Sequence, residues 1–425
     1  MGREGFILKG DICCSKSRAA LCTLEQAYLI VEEGKIAGVY PVIPEQFSGL
    51  QLRDMGDAII LPGMTDLHLH APQYGFRGTG MDLELLDWLN TCTFPEEAKY
   101  SEQEYAESAY SVFAEDLRRS ATTRALVFST IHRGATELLM EKLERSGVVS
   151  LVGKVNMDRN SPETLSEHTA KEALRATEDW IRGTRGKYRN TGIILTPRFT
   201  PSCSDALLRG LGELRERYHL PVQSHLSENL SEIAWVQELC PWSTCYGDTY
   251  RHFGLLGGPG GSVMAHCVHS SEEEIRMLRE SGCFIAHCPQ SNANLSSGIA
   301  PVRRYLELGM KVGLGTDVAG GANLSMLRCI TDAIMASKLR WRIVDQTRKP
   351  LRFEEAFYLA TRGGGEFFGK VGGFERGCEA DILIFREKRK DFRRAGLADR
   401  LQQLVYGAEE RSELVSKYVR GRQLF

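Results

Sequence analysis

Short apolar runs recur along this chain, each closed by polar residues and most followed by an amphipathic stretch. They fall at 58–65, 125–130, 148–155, 192–197, 221–224, 262–265, 283–286 and 311–315. Runs this short and this continuously apolar fit strands buried on both faces. Between them, 135–146, 204–218 and 271–281 space their apolar residues three and four apart, as a helix with one buried face does. Ser270-Ser271 ahead of Glu272-Glu273-Glu274 marks a helix start, with a hydroxyl cap and acids in the first turn. Strands alternating with helices predict an α/β fold: a (β/α)8 TIM-type barrel over residues 62–369, with its chemistry at the C-terminal strand ends.

The two ends of the chain break this cycle. Residues 28–31 and 35–39 read as strands joined by a turn at Glu33-Gly34, and 381–385 and 418–420 as strands beyond the last barrel helices. Residues 1–61 and 370–425 are therefore expected to meet in a small β-sandwich domain beside the barrel.

Composition narrows the function classes. With 42% hydrophobic and 25% charged residues, the 425-residue chain has the make-up of a soluble globular protein. A net charge of -2 supplies no global basic field for nucleic acid or an anionic membrane. No apolar run approaches the roughly 20 residues of a membrane span, and the N-terminus lacks the apolar core of a signal peptide, so a cytoplasmic location is expected. The 12 cysteines contain no CxxC pair and read as free, largely buried thiols of a reducing compartment.

The strongest local signal is Pro62-Gly63-Met64-Thr65-Asp66-Leu67-His68-Leu69-His70. Side chains alternate along a strand, so His68 and His70 point the same way and offer half of a zinc site. Further candidates follow at later strand ends: His225, with Glu228 three residues on, then His266, His287 and Asp317. Five of the 10 histidines thus gather on one predicted rim, with His132 a possible sixth. A hydrolytic metal site needs a base beside its water, the role open to Glu228. His168, His219, His252 and His269 read as helix or loop residues without a role.

This constellation resembles the amidohydrolase superfamily and, within it, the branch that deaminates guanine. The stretches that carry the closer resemblance are His70-Ala71-Pro72-Gln73-Tyr74, Gly78-Thr79-Gly80 before Leu85-Leu86-Asp87-Trp88-Leu89, Phe94-Pro95-Glu96-Glu97, Pro197-Arg198-Phe199, His225-Leu226-Ser227-Glu228-Asn229, Ala286 to Asn292 and Gly315 to Gly321. The resemblance implies one Zn²⁺ held by His68, His70, His225 and Asp317, a donor set that also accepts Fe²⁺. It implies that His266 and Asp317 orient the metal's water and that Glu228 shuttles protons. Gln73, Arg198 and Phe199, with His225, Glu228 and Asp317, would line the purine site: Arg198 toward O6 and N7, Gln73 toward the sugar edge, Phe199 against the ring face. The implied reaction is hydrolysis of guanine to xanthine and ammonia, by a homodimer; an adenosine-type, pterin or triazine substrate is the alternative. The lysine that bridges two metals in other members is absent from Leu195-Thr196-Pro197-Arg198-Phe199. Cys267 stands where the family often has glycine. The small cytidine-deaminase fold is excluded, because neither H-x-E nor P-C-x-x-C occurs.

Overall fold

Strands β1 (Gly5–Ser17), β2 (Ala20–Glu32), β3 (Lys35–Tyr40) and β4 (Gln51–Pro62) open the chain, and β5 (Met64–His70) follows after one glycine. The structure, a computed structural model, describes residues 5–388 and 395–425. Residues 1–4 and 389–394, which fall in the ranges expected to form the small β domain, lie outside the described residues.

The apolar run 58–65 is not one strand. It ends β4 at Pro62 and begins β5 at Met64, and the two strands belong to different sheets. The run is continuously apolar because β4 is buried on both faces from Ala58 onward: Ile59 and Leu61 join the large core, Ala58 and Ile60 the core of the terminal sheet. Gly63 makes the turn possible, since a Cβ there would lie 2.2 Å from Thr123 Oγ1 and 2.8 Å from Asp381 Cβ.

Strands β6 (Thr122–Phe128), β7 (Val149–Gly153) and β9 (Thr191–Ile193) extend β5 into a four-stranded parallel sheet. The short pair β8 (Val155–Asn156) and β10 (Thr196–Pro197) lies beyond it, so the runs 148–155 and 192–197 are each broken in two. Strands β11 (Val222–Leu226), β12 (Ser262–His266), β13 (Phe284–His287) and β14 (Lys311–Leu314) form the second parallel sheet. Backbone hydrogen bonds join the sheets at both edges: Leu195 bridges to Val222, and past β14 the Asp317 amide donates to the His68 carbonyl at 2.8 Å.

The expected helices are present at Arg133–Ser146, Asp205–Tyr218 and Glu272–Ser281, the last two capped by Ser204 and Ser271. Strands β15 (Ile382–Glu387), β16 (Ser412–Val419) and β17 (Arg422–Gln423) return to β4. Both chain ends thus share one seven-stranded sheet, ordered β17-β16-β15-β4-β1-β2-β3, with β1 parallel to β4 and the remaining pairs antiparallel. Glu33-Gly34 does turn β2 into β3. All 12 cysteines are free, and each is buried or half-buried. Among the described residues, no helix is long and apolar enough to cross a membrane.

Candidate active site

The parallel strands end on one side in a buried polar cluster. His68 and His70 close β5, His225 lies near the end of β11, His266 closes β12, and Asp317 follows β14 by three residues. Asp317 Oδ1 lies 3.1 Å from His68 Nε2 and 3.4 Å from His70 Nε2. The His70 and His225 Nε2 atoms are 3.1 Å apart, and His266 Nε2 is 3.7 Å from Asp317 Oδ2.

Hydrogen bonds fix which nitrogen faces the centre. His225 Nδ1 donates to the Arg198 carbonyl at 2.6 Å, which leaves its Nε2 lone pair free. His266 Nδ1 bonds Asn292 Oδ1 at 2.9 Å and likewise frees Nε2. The buried Nε2 atoms of His68 and His266 have no hydrogen-bond partner, a costly state unless a cation takes the lone pairs. Burial holds His70 and His225 well below the ordinary imidazole range, so both stay neutral and able to ligate. Burial also opposes the Asp317 charge, but its surroundings, His68 foremost, outweigh burial and hold the carboxyl below its ordinary value. Two sets of three ligand atoms, His68–His70–Asp317 and His68–His225–His266, lie close enough to share one ion. These residues fit a metal.

Cys288 completes a third such set with His266 and Asp317, but burial pushes its thiol well up, and a protonated thiol is a poor ligand. His287 lies outside these sets. Burial brings it down to about 3. His132 precedes the Arg133–Ser146 helix, half-buried and apart from the cluster.

The cluster rests on strained backbone. Asp317, His266, Cys267 and Ser227 have φ of 48°, 73°, 47° and 48°, a region that costs a non-glycine residue about 1–2 kcal/mol. Cys267 therefore adopts the conformation that glycine would take freely, and the turn after His266 survives its departure from the family pattern. Asp66 ties the strand ends together by accepting from the amides of His68 and Thr316 at 3.2 and 3.0 Å.

Glu228 lies beside the cluster, its Oε2 3.4 Å from His266 Nε2 and its Oε1 accepting from Ser297 Oγ at 3.2 Å. Burial, then the Asp317 charge, pushes its carboxyl well above the ordinary range. Glu232 accepts from the Glu228 amide at 3.0 Å, and burial brings it up to about 7.

One cavity opens onto these groups, and Gln73, Arg198 and Phe199 line it together with His70, His225, His266 and Asp317. Leu85, Trp88, Leu89 and Leu295 form its apolar wall. Cavities that combine an apolar wall with a few convergent polar groups suit small-molecule ligands. Arg198 pairs with Glu97 at 2.6 Å, both buried, and Glu97 also accepts from Gln73 Nε2 at 2.8 Å. Sequence reasoning gave no role to Asp66, Asn292, Glu97, Glu232, Trp88 or Ser297. Asp66, Asn292, Glu97 and Trp88 lie inside motif stretches, the available signal; Ser297 offers none.

Residues 59–413 match the model of the amidohydrolase family. The guanine deaminase of Dictyostelium discoideum is 40% identical over 380 residues, spanning 87% of this chain and 83% of that protein. That of Escherichia coli is 34% identical over 426 residues, spanning 96% and 93%. The crystal structure of the C. acetobutylicum guanine deaminase, solved with guanine in its active site, superposes with a TM-score of 0.96 at 43% identity, covering 99% of this chain and 100% of that one.

Proposed function

The chain belongs to the amidohydrolase family, and we propose that it hydrolyses guanine to xanthine and ammonia. One observation carries the substrate reading: the cluster of histidines and Asp317 shares a single cavity with a donor, Arg198, an amide, Gln73, and an aromatic ring, Phe199. We read the two parallel sheets as one (β/α)8 barrel over 62–369, and 1–61 with 370–425 as the small β domain against it. Hydrogen bonds at both sheet edges support that closure.

His68, His70, His225 and Asp317 would hold one Zn²⁺. When bound, such an ion makes a water acidic enough to serve as nucleophile near neutral pH. His266 and Asp317 would orient the attacking water toward C2 of guanine, the carbon bearing the amine. Glu228 takes its proton and delivers it to ring N3. The proton left on the new C2 hydroxyl then passes to the amine, and ammonia leaves as the C2–N bond breaks and C2=O forms. The high proton affinity of the Glu228 carboxyl suits it to hold a proton between these steps. Arg198 donates to the purine oxygen, Gln73 meets an adjoining edge and Phe199 covers a ring face. The family likeness also favours a homodimer, which analytical ultracentrifugation checks.

The test is ammonia and xanthine formation from guanine by metal-analysed protein, with adenine, cytosine, a pterin and a triazine alongside. Turnover of guanine with about one zinc per chain is expected. A zinc-loaded protein silent on guanine but active on another ring would discard the roles of Arg198, Gln73 and Phe199 while keeping the metal site.

A further inference from the structure

Glu97 sits between two of the polar side chains that line the ligand cavity, Arg198 and Gln73. Its carboxylate is buried, 1% exposed, and each oxygen serves a different partner: Oε2 the Arg198 guanidinium at 2.6 Å, Oε1 the Gln73 amide nitrogen at 2.8 Å. An ionised carboxylate can only accept, so it dictates which end of the Gln73 amide faces it. The nitrogen turns to Glu97, leaving Oε1 as the end available to a ligand. The 3.4 Å contact from the Ala319 amide uses one of its two lone pairs. Arg198 is held in turn, with its guanidinium against Glu97 and 5.1 Å from the Phe94 ring centroid.

From this arrangement, and resting on the guanine reading above, we infer that Glu97 is a positioning residue that sets the polarity of the recognition edge: one acceptor, Gln73 Oε1, beside the donors of Arg198. Because both side chains hang from one carboxylate, the two ligand atoms they meet are neighbours. A lactam edge, a ring N–H next to a carbonyl, is the complement. In guanine that edge is N1–H with O6, in place of the sugar edge expected for Gln73 from sequence. A purine with a bare N1 and no oxygen at C6 presents an acceptor to an acceptor, and a buried unpaired group disfavours it strongly.

The experiment compares guanine with 2-aminopurine, which carries the same amine at C2 but a bare N1 and no O6. Glu97→Gln keeps the shape but lets residue 97 either donate or accept, so the Gln73 amide is free to turn over. The ratio of kcat/KM for guanine over 2-aminopurine should narrow by at least about tenfold. The loss on guanine should lie mainly in KM, with zinc content and pH profile unchanged. Glu97→Asp, which keeps the charge but withdraws it by one methylene, guards against a folding failure of the first variant and should narrow the ratio in the same sense. A ratio held within about twofold in the metal-loaded variants overturns the inference, because any purely structural loss would affect both substrates alike. A parent protein inactive on guanine overturns the substrate reading and this inference with it; an active parent with unchanged ratios overturns this inference alone.

Discussion

The imidazoles of His70 and His225 face each other nearly parallel, 10° between planes, with their Nε2 atoms 3.1 Å apart. His225 has committed its proton to the Arg198 carbonyl through Nδ1, so its Nε2 offers a lone pair. Two nitrogens this close, with Asp317 Oδ1 3.4 Å from one of them, form a cradle for a cation. His225→Ala should weaken zinc binding by more than the roughly 10–100-fold that loss of an outer-shell partner costs. Metal analysis after gel filtration reads this directly. A chelator should inactivate the parent and added Zn²⁺ restore it; a variant that keeps full metal content would contradict the ligand assignment.

Glu228 touches His266 and Ser297 but is not among the proposed ligands. Glu228→Gln should therefore retain zinc while losing roughly 10²–10⁴-fold in kcat, the contribution of a general acid–base group. Ammonia release and metal content, measured on the same sample, decide the matter. Near-parental turnover would remove Glu228 from the proton path.

Replacing Arg198 reaches beyond substrate binding, because it strands the buried Glu97 carboxylate. Arg198→Met should abolish guanine binding and also cost about 3–5 kcal/mol of stability, the effect of uncovering a buried charge. Adding Glu97→Gln to that variant should recover much of the stability and none of the binding. Thermal midpoints with guanine titrations separate the two effects. Equal midpoints for the single and double variants would mean that the pair is not coupled.

How much of this was legible in the sequence depends on the length scale of the signal. His68 and His70 could be read because two residues at strand spacing must share a face, and His225, His266 and Asp317 because each closes a short apolar run. The β4–β5 junction escaped because a strand buried on both faces carries no alternation, so Ala58 to Thr65 reads as one run although Gly63 divides it between two sheets. Glu97 escaped for another reason. Its partners Arg198 and Gln73 are 101 and 24 residues away in sequence, and no local pattern reports a carboxylate shared over such distances. Asn292 and Ser297 act on His266 and Glu228 across similar gaps.

His287 supplies a test by pH. It closes β13 fully buried, and its Nδ1 has no hydrogen-bond partner. Burial, reinforced by His266, lowers its imidazole from 6.5 to about 3. An unfolded chain takes up this proton near 6.5 and the folded one only near 3, so between those values the unfolded state binds more protons. Stability from this group is complete above pH 6.5 and is lost as the pH falls toward 3. Across that window the parent should lose up to about 1.4 kcal/mol per pH unit more than His287→Gln, which cannot titrate. Denaturation midpoints of both proteins from pH 7 to pH 4 measure the difference. The two curves should converge toward acid pH, because the parent alone carries the cost of charging a buried ring; parallel curves would show that His287 already binds its proton in the folded state.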